Sequence, residues 1–130
     1  MRRILLDTNA YSQYVKFDKK VVKVLSRSDE ICLSAISIGE LTFGFLKGSM
    51  DELNNAILYR FINNPLTKLI DINKRIATTY GSIYFNLKNK GTPIPVNDIW
   101  IAASAIETDS ILITYDKHFL KIPNLLVELL

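Results

Sequence analysis

Short apolar runs that alternate with amphipathic segments constrain the fold of this chain more than any other feature. The runs cover residues 3–6, 31–33, 66–70, 111–113 and 125–129, each long enough for a strand and too short for a buried helix. The segments between them carry apolar residues at helical spacing, most clearly Ile76, Tyr80, Ile83 and Leu87. Strands that alternate with helices indicate a parallel sheet. We therefore predict a three-layer α/β/α domain with a mainly parallel sheet of four to five strands.

Capping residues and helix breakers set the expected bounds of the helices. The first helix follows Asp7–Asn9 and places Phe17 on its apolar stripe, and Asp18 caps a second helix. Either Ser34 or Ser37 caps a third helix, which Gly48 ends. The remaining helical segments are expected at 51–62, 73–90, 97–107 and 116–120.

Length and composition narrow the class of protein without naming a function. A chain of 130 residues, 48% of them hydrophobic, is expected to form one domain over residues 1–130. No apolar run approaches the ~20 residues of a membrane span. The single cysteine, Cys32, excludes an internal disulfide, and a buried inert thiol fits a reducing cytoplasm. A net charge of +3 permits a polyanionic partner but does not require one.

Three acidic residues follow predicted strands at the edge where parallel sheets bind ligands. Asp7 comes directly after the first strand, Glu40 lies early in the helix after the second, and Asp116 lies just past the fourth. Asn97 or Asp98 starts a helix that leads into the fourth strand, so Asp98 reaches this edge only if the extended segment 92–96 folds back. We expect the four carboxylates to share one small space.

Four carboxylates in one space repel each other unless a cation lies between them. Mg²⁺ or Mn²⁺ prefers carboxylate and water oxygens, whereas one cysteine and one histidine make zinc a poor fit. A divalent ion held in this way is suited to phosphodiester hydrolysis by activated water. We expect a Mg²⁺ or Mn²⁺ site at this edge.

Each acid also has a purely structural interpretation as a helix cap. Asp7, Asp98 and Asp116 each precede a helical segment, and Ser37 with Glu40 has the spacing of a capping box. Taken singly, the capping interpretation is the stronger one for each residue. Four acids that converge on one edge of one sheet favour a site.

Four blocks of sequence, in this order, resemble the PIN-domain ribonucleases, specifically the VapC toxins of toxin–antitoxin operons. The blocks are Leu5–Asn9, Leu33–Leu41 with Gly44, Gly91–Ala103, and Leu112–Asp116 with His118 and Phe119. The resemblance covers nearly the whole chain. Its implications are a PIN-like fold and an endoribonuclease that cleaves a structured RNA such as tRNA or rRNA.

The resemblance also implies roles for individual residues. The acidic metal-binding and catalytic quartet corresponds to Asp7, Glu40, Asp98 and Asp116. The polar residues that orient those acids or the bound water correspond to Thr8, Asn9, Asn97 and Thr114. The implied partners are a second copy of the chain, as a homodimer, and a VapB-type antitoxin whose C-terminal segment enters the active site.

Aromatic and basic side chains add two surfaces of open interpretation. A surplus of large apolar residues on the first and third helices leaves a groove for an amphipathic partner, which substitution of Tyr14 or Phe45 would test. The basic run formed by Lys16, Lys19, Lys20, Lys23 and Arg27, with Lys47, Lys88 and Lys90 elsewhere, is either a solvated helix face or a set of RNA phosphate contacts. His118 is expected to cap or to pack near Phe119.

Three other functions fit the sequence less well than a ribonuclease does. A phosphatase with an aspartate nucleophile needs a second acid two residues after the first, where this chain has Asn9. A response-regulator receiver needs a lysine after a late strand, and Lys117 only adjoins Asp116. A non-catalytic PIN-like module that binds RNA or protein does not need all four acids. A PIN nuclease with a housekeeping RNA-processing role stays open.

Overall fold

The computed structural model describes residues 1–130 and contains five strands and six α-helices. The strands are β1 (Arg3–Leu6), β2 (Glu30–Ser34), β3 (Thr67–Ile70), β4 (Ile111–Thr114) and β5 (Val127–Leu129). The helices are α1 (Thr8–Val15), α2 (Lys19–Ser26), α3 (Ala35–Lys47), α4 (Asp51–Ile62), α5 (Lys74–Lys90) and α6 (Val96–Glu107), and a 3-10 turn covers Lys117–Lys121. No helix combines the length and the apolar character needed to cross a membrane.

The five strands form one sheet in the order β3-β2-β1-β4-β5, and every neighbouring pair is parallel. Helices cover both faces, which confirms the predicted α/β/α architecture. Alternate residues of β1 show the two layers: Leu5 packs in the core beneath α5 and α6, whereas Ile4 and Leu6 pack beneath α1, α2 and α4. Burial on both faces explains why the central strands β1, β2 and β4 are continuous apolar runs in the sequence.

The strand order places a topological switch point at β1. From β1 the chain first adds β2 and β3 on one side, and then crosses to add β4 and β5 on the other. Connections that leave β1 and β4 therefore diverge and open a crevice beyond the carboxyl ends of these two strands. Asp7 and Asp116 follow directly after these strands.

The structure corrects two of the expected helix bounds. The first helix ends at Val15, and Phe17 is exposed on the following turn instead of lying on the apolar stripe. The sixth helix begins at Val96, because Pro95 takes the N-cap position. Asp98 thus lies within the first turn of α6, and the helix has no side-chain cap.

Candidate active site

Each of the four predicted acids lies at the carboxyl edge of the sheet, and each comes from a different segment of the chain. Asp7 is the N-cap of α1, Glu40 lies in the second turn of α3, Asp98 in the first turn of α6, and Asp116 just before the 3-10 turn. Shared contacts bring the acids together: the Thr114 hydroxyl contacts both Asp7 and the N–H of Asp116. Glu40 contacts Thr8 and Asn97, the neighbours of Asp7 and Asp98. The proline segment therefore does fold back, as the position of Asp98 required.

Asp7 is the most deeply buried of the four acids, with only 6% of the residue exposed. One oxygen, Oδ1, accepts a hydrogen bond of 2.8 Å from the backbone N–H of Ala10, so the capping interpretation is also correct. The other, Oδ2, accepts a hydrogen bond of 2.5 Å from the Thr114 hydroxyl. These two bonds fix the carboxylate across the gap between β1 and β4.

Glu40 is held by polar residues that adjoin two of the other acids. The Thr8 hydroxyl donates to Glu40 Oε1 at 2.6 Å and lies 2.8 Å from the hydroxyl of the buried Ser37. The Asn97 amide lies 3.4 Å from Glu40 Oε2. Ser34, not Ser37, caps α3, so the capping box predicted for Ser37 and Glu40 is wrong.

His118 contacts both Asp98 and Asp116, and the sequence did not predict these contacts. Its Nε2 lies 2.8 Å from Asp98 Oδ2 without an aligned hydrogen bond, and its Nδ1 lies 2.9 Å from Asp116 Oδ1. The expected packing on Phe119 is also present, with ring centroids 4.7 Å apart. The only signal in the sequence was the spacing of His118 from Asp116 by two residues.

One of the four polar residues assigned to orienting the acids makes no such contact. Asn9 is exposed, and its side chain forms no hydrogen bond. Thr8, Asn97 and Thr114 each contact an acid, as described above. Its predicted role in orienting the acids or the bound water stays a prediction.

Burial and mutual repulsion act on the ionisation of the site. Burial raises the pKa of Asp7 above its ordinary value of 3.8, the bonds from Thr114 and Ala10 oppose this shift, and the charges of Asp116 and Glu40 add to it. Burial likewise raises the pKa of Asp98, although the neighbouring His118 lowers it. A carboxylate cluster that resists ionisation is stabilised in its charged form by a cation.

The donor atoms suit a hard divalent cation. The carboxylates of Asp98 and Asp116 and the imidazole of His118 offer three ligand atoms that all lie within 4.8 Å of one another. The chemistry of the full set is dominated by carboxylate oxygen, which Mg²⁺ and Mn²⁺ prefer. The residues present therefore fit such an ion.

An open cleft of about 570 Å³ adjoins the acids. Its lining consists of Ala35, Ile36, Gly39, Glu40, Phe43 and Asn97. Because Glu40 and Asn97 belong to both the cleft and the acidic site, a ligand in the cleft reaches the carboxylates directly. Gly39 has open space beside it, so the cleft is open to solvent at this part of its lining.

Comparison with known proteins agrees with this geometry. The PIN domain family model matches residues 4–125, which defines the class of the protein. Ribonuclease VapC2 of Rickettsia felis is 31% identical over 129 residues, covering 95% of this chain and 95% of that protein. The tRNA(fMet)-specific endonuclease VapC of Salmonella typhimurium is 28% identical over 131 residues, covering 98% of each.

A solved structure extends the likeness to three dimensions. The crystal structure of VapBC2 from Rickettsia felis, bound to a DNA fragment from the promoter, matches with a TM-score of 0.87 at 29% identity, over 98% of both chains. The chain therefore belongs to the VapC ribonucleases of the PIN-domain family. The predicted family and the predicted nuclease class are both confirmed.

Proposed function

We propose that the chain is a divalent-metal-dependent endoribonuclease that acts as the toxin of a toxin–antitoxin pair and hydrolyses phosphodiester bonds of a structured RNA. The observation that carries the metal dependence is the cluster of ligand atoms from Asp98, Asp116 and His118 within 4.8 Å of one another, with Asp7 and Glu40 at the same edge of the sheet. All four acids are proposed as metal-binding and catalytic residues. Thr8, Asn97 and Thr114 are proposed to orient them.

The acids divide into two kinds by burial and contacts. Burial raises the pKa of Asp7 and of Asp98, and Mg²⁺ or Mn²⁺ would relieve their unfavourable ionisation, so these two are proposed as the principal ligands. An ion held by these residues would supply an acidified water as nucleophile and positive charge beside the phosphate oxygens. Glu40 lies at the cleft wall with its orientation fixed by Thr8, where it can hold a proton from the attacking water.

The RNA substrate is proposed to be a tRNA. The Salmonella typhimurium relative is named for cleavage of tRNA(fMet), and the likeness covers 98% of both chains. We expect purified chain to cut initiator tRNA at one position in Mg²⁺ and to leave it intact in EDTA. Mapping of the product ends on a sequencing gel shows the position of the cut and whether the cut depends on Mg²⁺. Cleavage that persists in EDTA, or no cleavage of any tRNA, would count against the proposal.

A VapB-type antitoxin is the proposed protein partner, since the matching Rickettsia felis structure is of a VapBC complex. A cleft of about 220 Å³ between α1, α3 and α4 supports the groove predicted for it. Phe45, Leu41 and Val15 line this cleft, whereas Tyr14 packs on Phe61 at 5.6 Å and is less suited as a probe.

Phe45→Ala is expected to weaken antitoxin binding by roughly tenfold or more, because it removes an aromatic anchor from the wall of a groove. Isothermal titration with the protein encoded by the small gene expected directly upstream would measure this. Tyr59→Ala, which removes an exposed aromatic of α4 that does not line the cleft, is the control. Equal affinity in wild type and Phe45→Ala would remove the groove from the proposal.

A homodimer is proposed as the assembled state. Large apolar side chains remain exposed on α3 and α5, namely Phe43, Leu46 and Phe85. A second copy of the chain would cover such side chains. Mass measurement by light scattering tests this state.

A further inference from the structure

The turn between α1 and α2 exposes an aromatic side chain among lysines. Phe17 is 83% exposed, and Lys16, Lys19, Lys20 and Lys23 around it are exposed as well. None of these four lysines forms an ion pair, in contrast to Arg27, which contacts Glu128 at 3.8 Å. The turn is thus an unpartnered basic surface with an aromatic ring at its centre.

The backbone of Phe17 is held in a conformation that favours glycine. Its φ of 62° lies in the left-handed region. The N–H of Phe17 donates to Tyr14 O at 2.9 Å, and the N–H of Asp18 donates to Gln13 O at 3.0 Å. These two bonds define a Schellman motif, in which glycine is the preferred residue at the position of Phe17. A bulky side chain here costs backbone strain and, being exposed, gains almost no burial.

The one acid of the turn does not neutralise the lysines. Asp18 accepts hydrogen bonds from the N–H groups of Lys20 and Val21 as the N-cap of α2. The nearby hydroxyl of Tyr115 lowers the pKa of Asp18, as do these two backbone bonds and the charge of Lys20. Asp18 is therefore engaged with the protein, and the positive charge of the lysines faces solvent.

The turn between α1 and α2 lies toward the carboxyl edge of the sheet, as the acidic site does. Helix α2 ends just before β2 begins, at the amino edge of the sheet, so its first residue lies toward the carboxyl edge. The contact of Asp18 with Tyr115 agrees with this placement, because Tyr115 directly precedes Asp116. A polymer bound in the active site can therefore extend over the turn.

Lysines around an exposed aromatic ring match the chemistry of a single-stranded nucleic acid. Ammonium groups bind phosphates, and the ring offers a stacking surface to a base. We infer that Phe17 and its flanking lysines form a base-stacking platform for an unpaired RNA segment next to the cleavage site. The inference rests on the proposed ribonuclease function and adds to it a contact that positions the RNA.

Phe17→Gly separates this role from a structural one. Glycine suits the left-handed backbone, so the melting temperature should stay the same or rise. Binding of a short fluorescein-labelled oligouridine in EDTA, measured by fluorescence anisotropy, should weaken by roughly tenfold, since stacking on one aromatic accounts for such a loss. Phe17→Trp should restore the affinity. Tyr59→Ala, an exposed aromatic without flanking lysine clusters, should bind as wild type does.

The lysines are tested by the salt dependence of the same binding. Substitution of both Lys19 and Lys20 by Ala should reduce the slope of log Kd against log salt by ~1.4, because each of two phosphate contacts in single-stranded RNA contributes ~0.7. An unchanged slope would overturn the assignment of these lysines to phosphates.

The outcomes distinguish this inference from the function on which it rests. If the wild type binds and cleaves RNA, and Phe17→Gly binds RNA with the same affinity, the stacking platform alone is overturned. Failure of the wild type to bind or cut RNA would overturn both. Loss of antitoxin affinity in Phe17→Gly, with RNA affinity unchanged, would assign the turn to the protein partner and also overturn the platform.

Discussion

Asp98→Asn is expected to reduce RNA cleavage by at least ~100-fold, since loss of even an outer contact of a metal ligand costs ~10–100-fold in affinity or activity. Asp98 is half-buried in the first turn of α6, interacts with Asp7 and Glu40, and contacts His118 at 2.8 Å. The substitution keeps the shape of the side chain and removes the charge that a cation needs. The rate of tRNA cleavage in Mg²⁺ measures the effect.

Asp109→Asn provides the matched control for this variant. Asp109 lies in the turn that leads into β4, at the opposite edge of the sheet, with a left-handed φ of 52° that asparagine tolerates. It makes the same chemical change without touching the site and should cleave at the wild-type rate. Equal rates in Asp98→Asn and Asp109→Asn would remove Asp98 from the proposed mechanism.

Asp7→Asn is expected to stabilise the metal-free protein while it abolishes stabilisation by metal. Because the pKa of Asp7 is raised in the folded state, its contribution to stability is fully present below pH 3.8 and is lost as the pH rises through the raised value. At neutral pH the buried charge therefore opposes folding. An amide removes this charge and retains an oxygen for the N–H of Ala10.

Thermal unfolding with and without Mn²⁺ measures both effects of Asp7→Asn. At a Mn²⁺ concentration of ~100 times Kd the wild type should gain ~2.7 kcal/mol, which corresponds to several degrees in Tm. The variant should show a higher Tm than wild type in EDTA and no gain from Mn²⁺. If the variant had a lower Tm than the wild type in EDTA, the account of Asp7 as a buried ligand would be contradicted. The same holds if Mn²⁺ stabilised the variant as much as the wild type.

Much of the fold could be predicted from the sequence because its strands are buried on both faces. Successive residues such as Leu5 and Leu6 face opposite helical layers, so each of the central strands β1, β2 and β4 is a short continuous apolar run. The convergence of Asp7, Glu40 and Asp116 followed from the same pattern, since parallel strands bring their carboxyl ends to one edge.

The contacts that complete the site could not be predicted, because they join residues whose spacing carries no period. The contact of His118 with Asp98 depends on how far the 3-10 turn after β4 lies from α6. Helix α6 begins at Val96, before the predicted start at Asn97 or Asp98, because Pro95 takes the N-cap position. Phe17 fits a helical stripe by spacing, but the Schellman motif ends α1 before it.

Titration with Mn²⁺ tests the central claim, that the four acids form one divalent-metal site. Loss of the electron paramagnetic resonance signal of free Mn²⁺ reports binding directly and does not require an RNA substrate. The account predicts saturable binding by the wild type and by Asp109→Asn, and loss of this binding in Asp7→Asn and in Asp98→Asn. Binding of unchanged affinity in both of the latter variants would contradict it.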